Sequence, residues 1–87
     1  MKILMKPIEM IAWFTTKEKP IPLRYRIIDE NNTYKVIKVD KILFTEEEKL
    51  AGNKMILYRC QSTINNTQKI YELKYEVDTY KWYLFKI

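Results

Sequence analysis

The sequence predicts a single small all-β domain over residues 1–87: five to six antiparallel strands in meander order, twisted into a half-open or closed small barrel, with one short helical turn at residues 45–51. Three observations carry this expectation. Over residues 70–77, Tyr71, Leu73, Tyr75 and Val77 alternate with Ile70, Glu72, Lys74 and Glu76, and no helical period fits the same residues as well. Branched and aromatic side chains, which suit a pleated surface, dominate the apolar runs. Asparagine pairs at 31–32 and 65–66 stand between those runs, where hairpin turns need residues that accept left-handed backbone. A chain of 87 residues is too short for two independent cores, and so small a sheet exposes its edges unless it curls shut or pairs with another copy.

The elements follow in chain order. Residues 8–14, IEMIAWF, read as an opening strand or, being a short apolar run, as a turn of helix. In residues 22–28, PLRYRII, Leu23, Tyr25 and Ile27 alternate with Arg24, Arg26 and Ile28, and Pro20 and Pro22 lie at the start, where a missing N–H costs least. A long strand runs from Tyr34 to Phe44, but its phase slips. Tyr34 and Val36 share one face while Ile37, Val39 and Leu43 take the other, so a bulge or sharp bend is expected near residues 36–41. TEEEKLAGN, residues 45–53, carries helix signals: Thr45 and Glu48 at capping-box spacing, acidic residues at the start, and Gly52-Asn53 as a stop. Strand resumes over MILYRCQS, residues 55–62. Residues 70–77 and 80–87 form a terminal hairpin. In its second strand Trp82 and Leu84 face one side, and Lys81, Tyr83, Phe85 and Ile87 the other, so both faces meet something.

The composition excludes most catalytic chemistry. The chain has no histidine, the most versatile acid–base group and commonest metal ligand. Cys60, the only cysteine, shares a face with Ile56 and Tyr58 and reads as a small buried thiol; a lone cysteine fits a reducing, cytoplasmic setting. Gly52 is the only glycine, which argues against a phosphate-cradling loop. Glu46, Glu47 and Glu48 are explained by helix capping rather than by a metal, no cofactor is implied, and no uncharged run reaches the length that spans a bilayer.

What remains is a binding surface. The net charge is +5, with residues 1–44 holding nine basic and five acidic groups and residues 45–87 seven and six. Arg24 and Arg26 share a strand face, and Lys35 or Lys38 lies across a hairpin from them. With Lys81, Tyr83 and Phe85 of the terminal strand, and Trp13 as a further exposed ring, these residues form the candidate surface. The competing view makes the arginines a solvated face and the rings core. The expected function is a non-catalytic binding or interaction module whose partner is a protein, including a second copy in a homodimer. The alternative is a nucleic-acid-binding domain that uses the basic patch and exposed aromatics.

The order of PLRYR, Tyr34-Lys35-Val36, Tyr71-Glu72-Leu73 and Lys81-Trp82-Tyr83-Leu84 resembles a family of small uncharacterised bacterial all-β domains, some appended to translesion-type DNA polymerases. The resemblance implies the fold and a nucleic-acid setting, and it carries over no functional residue.

Overall fold

A computed structural model describes residues 1–87. Seven strands form one curled antiparallel sheet: β1 (Ile3–Trp13), β2 (Ile21–Ile28), β3 (Tyr34–Lys38), β4 (Lys41–Leu50), β5 (Asn53–Ile64), β6 (Thr67–Glu76) and β7 (Lys81–Lys86). Their spatial order is β3-β2-β1-β7-β6-β5-β4, so two meanders are joined where the first strand pairs with the last. β1 is the pivot. Its early residues pair with β7, Lys6 opposite Leu84 and Ile8 opposite Trp82, while its later residues pair with β2, Glu9 opposite Arg26 and Ile11 opposite Arg24.

The half-barrel curls until its two edge strands, β3 and β4, are consecutive in the chain. Val39-Asp40 is the corner between them, and both sides hold it. The Val39 N–H donates to the Leu23 carbonyl on β2 at 2.9 Å, and the Asp40 N–H to the Gln61 carbonyl on β5 at 3.0 Å. The Asp40 carboxylate accepts from the Thr63 N–H at 3.0 Å, and Ser62 Oγ donates to the Lys38 carbonyl at 2.6 Å. This corner is the sharp bend that the phase slip at residues 36–41 predicts, and it divides one expected strand in two.

Tight turns fix the registers. In the β4–β5 hairpin Ala51 and Gly52 have φ of 50° and 84°, and in the β5–β6 hairpin Asn65 and Asn66 have φ of 51° and 61°. Positive φ at both central residues is the turn whose twist matches the flanking strands. Between β2 and β3 the Asp29 carboxylate accepts the N–H groups of Asn31 and Thr33, at 2.9 and 3.0 Å.

Two expectations are corrected. There are seven strands rather than five or six, and residues 45–51 hold no helical turn: Thr45 to Leu50 belong to β4, each paired with β5 from Tyr58 back to Asn53. The same residues that resemble helix caps also suit a hairpin, because Gly52 serves a two-residue turn as readily as a helix stop. β5 supplies a long ladder of partners, which outweighs the weak helical preference of a six-residue acidic stretch.

The concave side holds the core. Tyr25, Ile37, Ile56, Tyr58, Cys60, Ile64, Tyr71, Leu73, Tyr75, Trp82 and Leu84 form one buried cluster. Tyr75 and Trp82 stack with centroids 4.7 Å apart, Tyr58 lies 5.5 Å from Trp82, and Tyr25 meets Tyr71 edge-on at 6.0 Å. The alternation in residues 70–77 therefore points its apolar face inward, as expected. The buried hydroxyls of Ser62 and Tyr71 lie 2.6 Å apart, so neither loses water without a partner. No helix of the molecule is long and apolar enough to cross a membrane.

Candidate binding face

A sheet that curls around its core turns its other side outward, and here that convex side falls into two halves. On β4 to β7 the central charges are paired. Glu72, its side chain only 5% exposed, accepts from Arg59 Nη2 at 2.8 Å and Nε at 3.1 Å. Lys74 reaches Glu48 at 2.9 Å, and its ammonium also lies 3.9 Å from the centroid of the Phe85 ring. Leu57, opposite Glu46 and Lys74 in the ladder, is buried among these neighbours.

On β1 to β3 the arrangement is different. The strand registers place Ile11, Arg24 and Lys38 in one cross-strand row, Glu9, Arg26 and Val36 in the next, and Ile28 with Tyr34 beyond. Trp13 stands past Ile11, opposite Ile21. Large apolar side chains are open to water here: Val36 is 62% exposed, Ile11 61%, Trp13 59% and Tyr34 54%. Arg24 and Lys38 lie side by side with no ion-pair partner. Arg26 is held by the Glu9 carboxylate at 2.5 Å, which lays its guanidinium 4.2 Å over the Tyr34 ring. That hydrogen bond and the charge behind it hold the Glu9 carboxyl below its ordinary pKa and raise that of Arg26. A depression of about 300 Å³ opens among Glu9, Ile11, Arg24, Arg26 and Val36, floored by Tyr25.

Of the residues singled out in the sequence, the fold thus brings Arg24, Arg26 and Lys38 together. It separates the rest. Lys35 follows the opposite phase of β3, and its ammonium donates to Asn65 Oδ1 at 2.9 Å, tying β3 to the β5–β6 turn. Lys81, Tyr83 and Phe85 are on β7, across β1 from the arginines, with Tyr83 opposite Pro7. Phe85 packs beneath Lys74 and Lys86. Lys81 and Tyr83 border a second depression, of about 620 Å³, with Phe14, Tyr75, Tyr80 and Trp82. Three of its rings already pack on one another, Phe14 edge-on to Tyr75 at 6.0 Å and Tyr75 on Trp82, which leaves Tyr83 and the exposed Tyr80 outside the stack.

Ile11, Tyr34 and Val36 complete the β1–β3 face, and sequence reasoning passed over them. The signal available was phase: Tyr34 and Val36 alternate away from Ile37, the one β3 residue that enters the core.

The catalytic inventory is small. Burial pushes the Cys60 thiol up to about 12, so it is not ionised near neutrality. Glu9, Glu48 and Glu72 each face a basic side chain rather than another carboxylate. Comparison with known proteins finds no family model, no curated protein and no solved structure that matches the chain.

Proposed function

We propose that this chain is a non-catalytic binding module that meets its partner through the outer face of β1, β2 and β3. One observation carries the reading: Ile11, Trp13, Tyr34 and Val36 stay in water beside Arg24 and Lys38, which have no ion-pair partner, whereas on the outer face of β4 to β7, where Phe44 and Ile70 are also exposed, Arg59 and Lys74 are held by Glu72 and Glu48. Covering each such side chain is worth roughly 1.5–3 kcal/mol, and Ile11 and Val36 line one depression with Arg24 and Arg26 between them. The shortage of acid–base and nucleophilic groups supports a binding role over catalysis. The sealed, protonated Cys60 agrees with a reducing, cytoplasmic setting.

A second copy is the less favoured partner. Two such faces brought together about a twofold axis would set Arg24, Arg26 and Lys38 against the same cations, with Glu9 the only opposing charge on each side. The charge balance favours an anionic partner. The test is a doubly substituted chain, Ile11→Ser with Val36→Ser. Its urea midpoint is expected to match the parent's within error, because these side chains hold nothing in the fold. A large loss of stability would show that they are structural and would overturn the reading.

A further inference from the structure

We infer that the occupant of the β1–β3 face is single-stranded nucleic acid, an inference that rests on the binding reading above and names its partner. Three features converge on it. First, the free cations are adjacent: Arg24 and Lys38 face each other on neighbouring strands, roughly 5 Å apart at the backbone. The acidic residues Asp29 and Glu30 lie at the other end, beyond Tyr34, so the anionic backbone tracks the Trp13 end of the face. Second, the face offers flat surfaces for bases. Trp13 presents an exposed indole, and Glu9 holds the Arg26 guanidinium over the exposed Tyr34 ring, which together offer a second platform. An acidic peptide would satisfy the cations but gain little from these planes. Third, the face is convex. A rigid duplex is also convex and touches such a surface at few phosphates, with its bases out of reach, whereas a single strand drapes over it and turns unstacked bases onto the rings.

The two unpaired cations set the expected salt dependence. At about −0.7 per neutralised phosphate on a single strand, the slope of log affinity on log salt is about −1.4, a roughly sevenfold weakening between about 50 and 200 mM salt. The measurement is fluorescence anisotropy of a labelled oligothymidylate with the full chain, together with intrinsic tryptophan emission. Trp82 is buried and Trp13 exposed, so quenching on binding reports Trp13. Arg24→Ala with Lys38→Ala is expected to flatten the salt slope, and Trp13→Ala to weaken binding about tenfold and abolish the quench. Duplex DNA of the same length and polyglutamate are the comparison ligands. The inference is overturned if oligothymidylate fails to bind at low salt, if duplex or polyglutamate binds as tightly, or if the Trp13→Ala chain binds unchanged. Any of these leaves the binding face itself standing; that reading falls only with the stability of the Ile11→Ser, Val36→Ser chain.

Discussion

Arg59 on β5 and Arg24 on β2 both project from the convex side of the sheet, yet their neighbours differ. Arg59 lies across from Glu72, which it grips with two nitrogens; Arg24 lies between Ile11 and Lys38, neither of which accepts a hydrogen bond from it. A related contrast holds for apolar residues. Leu57, on the interior strand β5, is closed over by its charged neighbours, while Val36, at the end of its row on the edge strand β3, is left bare. Both halves use the alternation of a strand, so secondary structure does not separate them. Cross-strand pairing does. At the centre of β4 to β7 opposite charges, Arg59 with Glu72 and Lys74 with Glu48, meet and cover Leu57, which makes that cluster part of the stability of the fold. On β1 to β3 only Arg26 meets an opposite charge, the exposed Glu9, while Arg24 and Lys38 meet each other and Ile11, so the outer side chains of that half contribute little to the folded state.

The sharpest way to break this contrast is to truncate matched apolar residues. Leu57→Ala is expected to cost about 2–3 kcal/mol in urea unfolding, and Val36→Ala to stay within about 0.5 kcal/mol; equal losses would erase the distinction. Next come the arginines. Arg59→Met strands the buried Glu72 carboxylate and should cost about 1–2 kcal/mol, a figure kept low because Arg59 is itself half exposed. Arg24→Met should be neutral within about 0.5 kcal/mol. Lys74→Met removes both an ion pair and a cation over Phe85, with an expected loss of about 1 kcal/mol.

The smallest effect concerns pH. The Glu9 carboxyl is lowered from 4.5 by Arg26, so its contribution is present above that value and fades as pH falls through the lower folded one. Acid titration followed by NMR should show Glu9 protonating after an ordinary carboxyl, and Arg26→Met should abolish the delay. A Glu9 that titrates normally in the parent chain would mean that Arg26 is not held over Tyr34.

Much of the fold was legible because its signals are local. The alternation of Tyr71, Leu73 and Tyr75, the asparagine turn at 65–66 and the phase slip after Val36 each describe a few neighbouring residues, and each matches an element of the sheet. TEEEKL misled for the same reason: its local pattern suits a helix start, and only a long strand arriving afterwards recruits it into a ladder. The pairing of β1 with β7 joins residues from opposite ends of the chain and leaves no mark on either. That pairing decides which aromatic residues lie near Arg24 and Arg26, so Tyr83 and Phe85 were grouped with the arginines in the sequence and are parted from them in space. Lys38 rather than Lys35 faces Arg24 because the five-residue link from Asp29 to Thr33 sets the register, a detail that composition alone does not fix.

The joining of the first strand to the last has a consequence for how the molecule assembles. Each meander is made of neighbouring hairpins that can zip early, but Ile8 meets Trp82 only after nearly the whole polypeptide has been gathered, an entropic toll that places this fold among the slow two-state folders, in milliseconds to seconds. Substitutions at Ile8 should therefore accelerate unfolding more than they retard refolding, since the seam they weaken is the last to close.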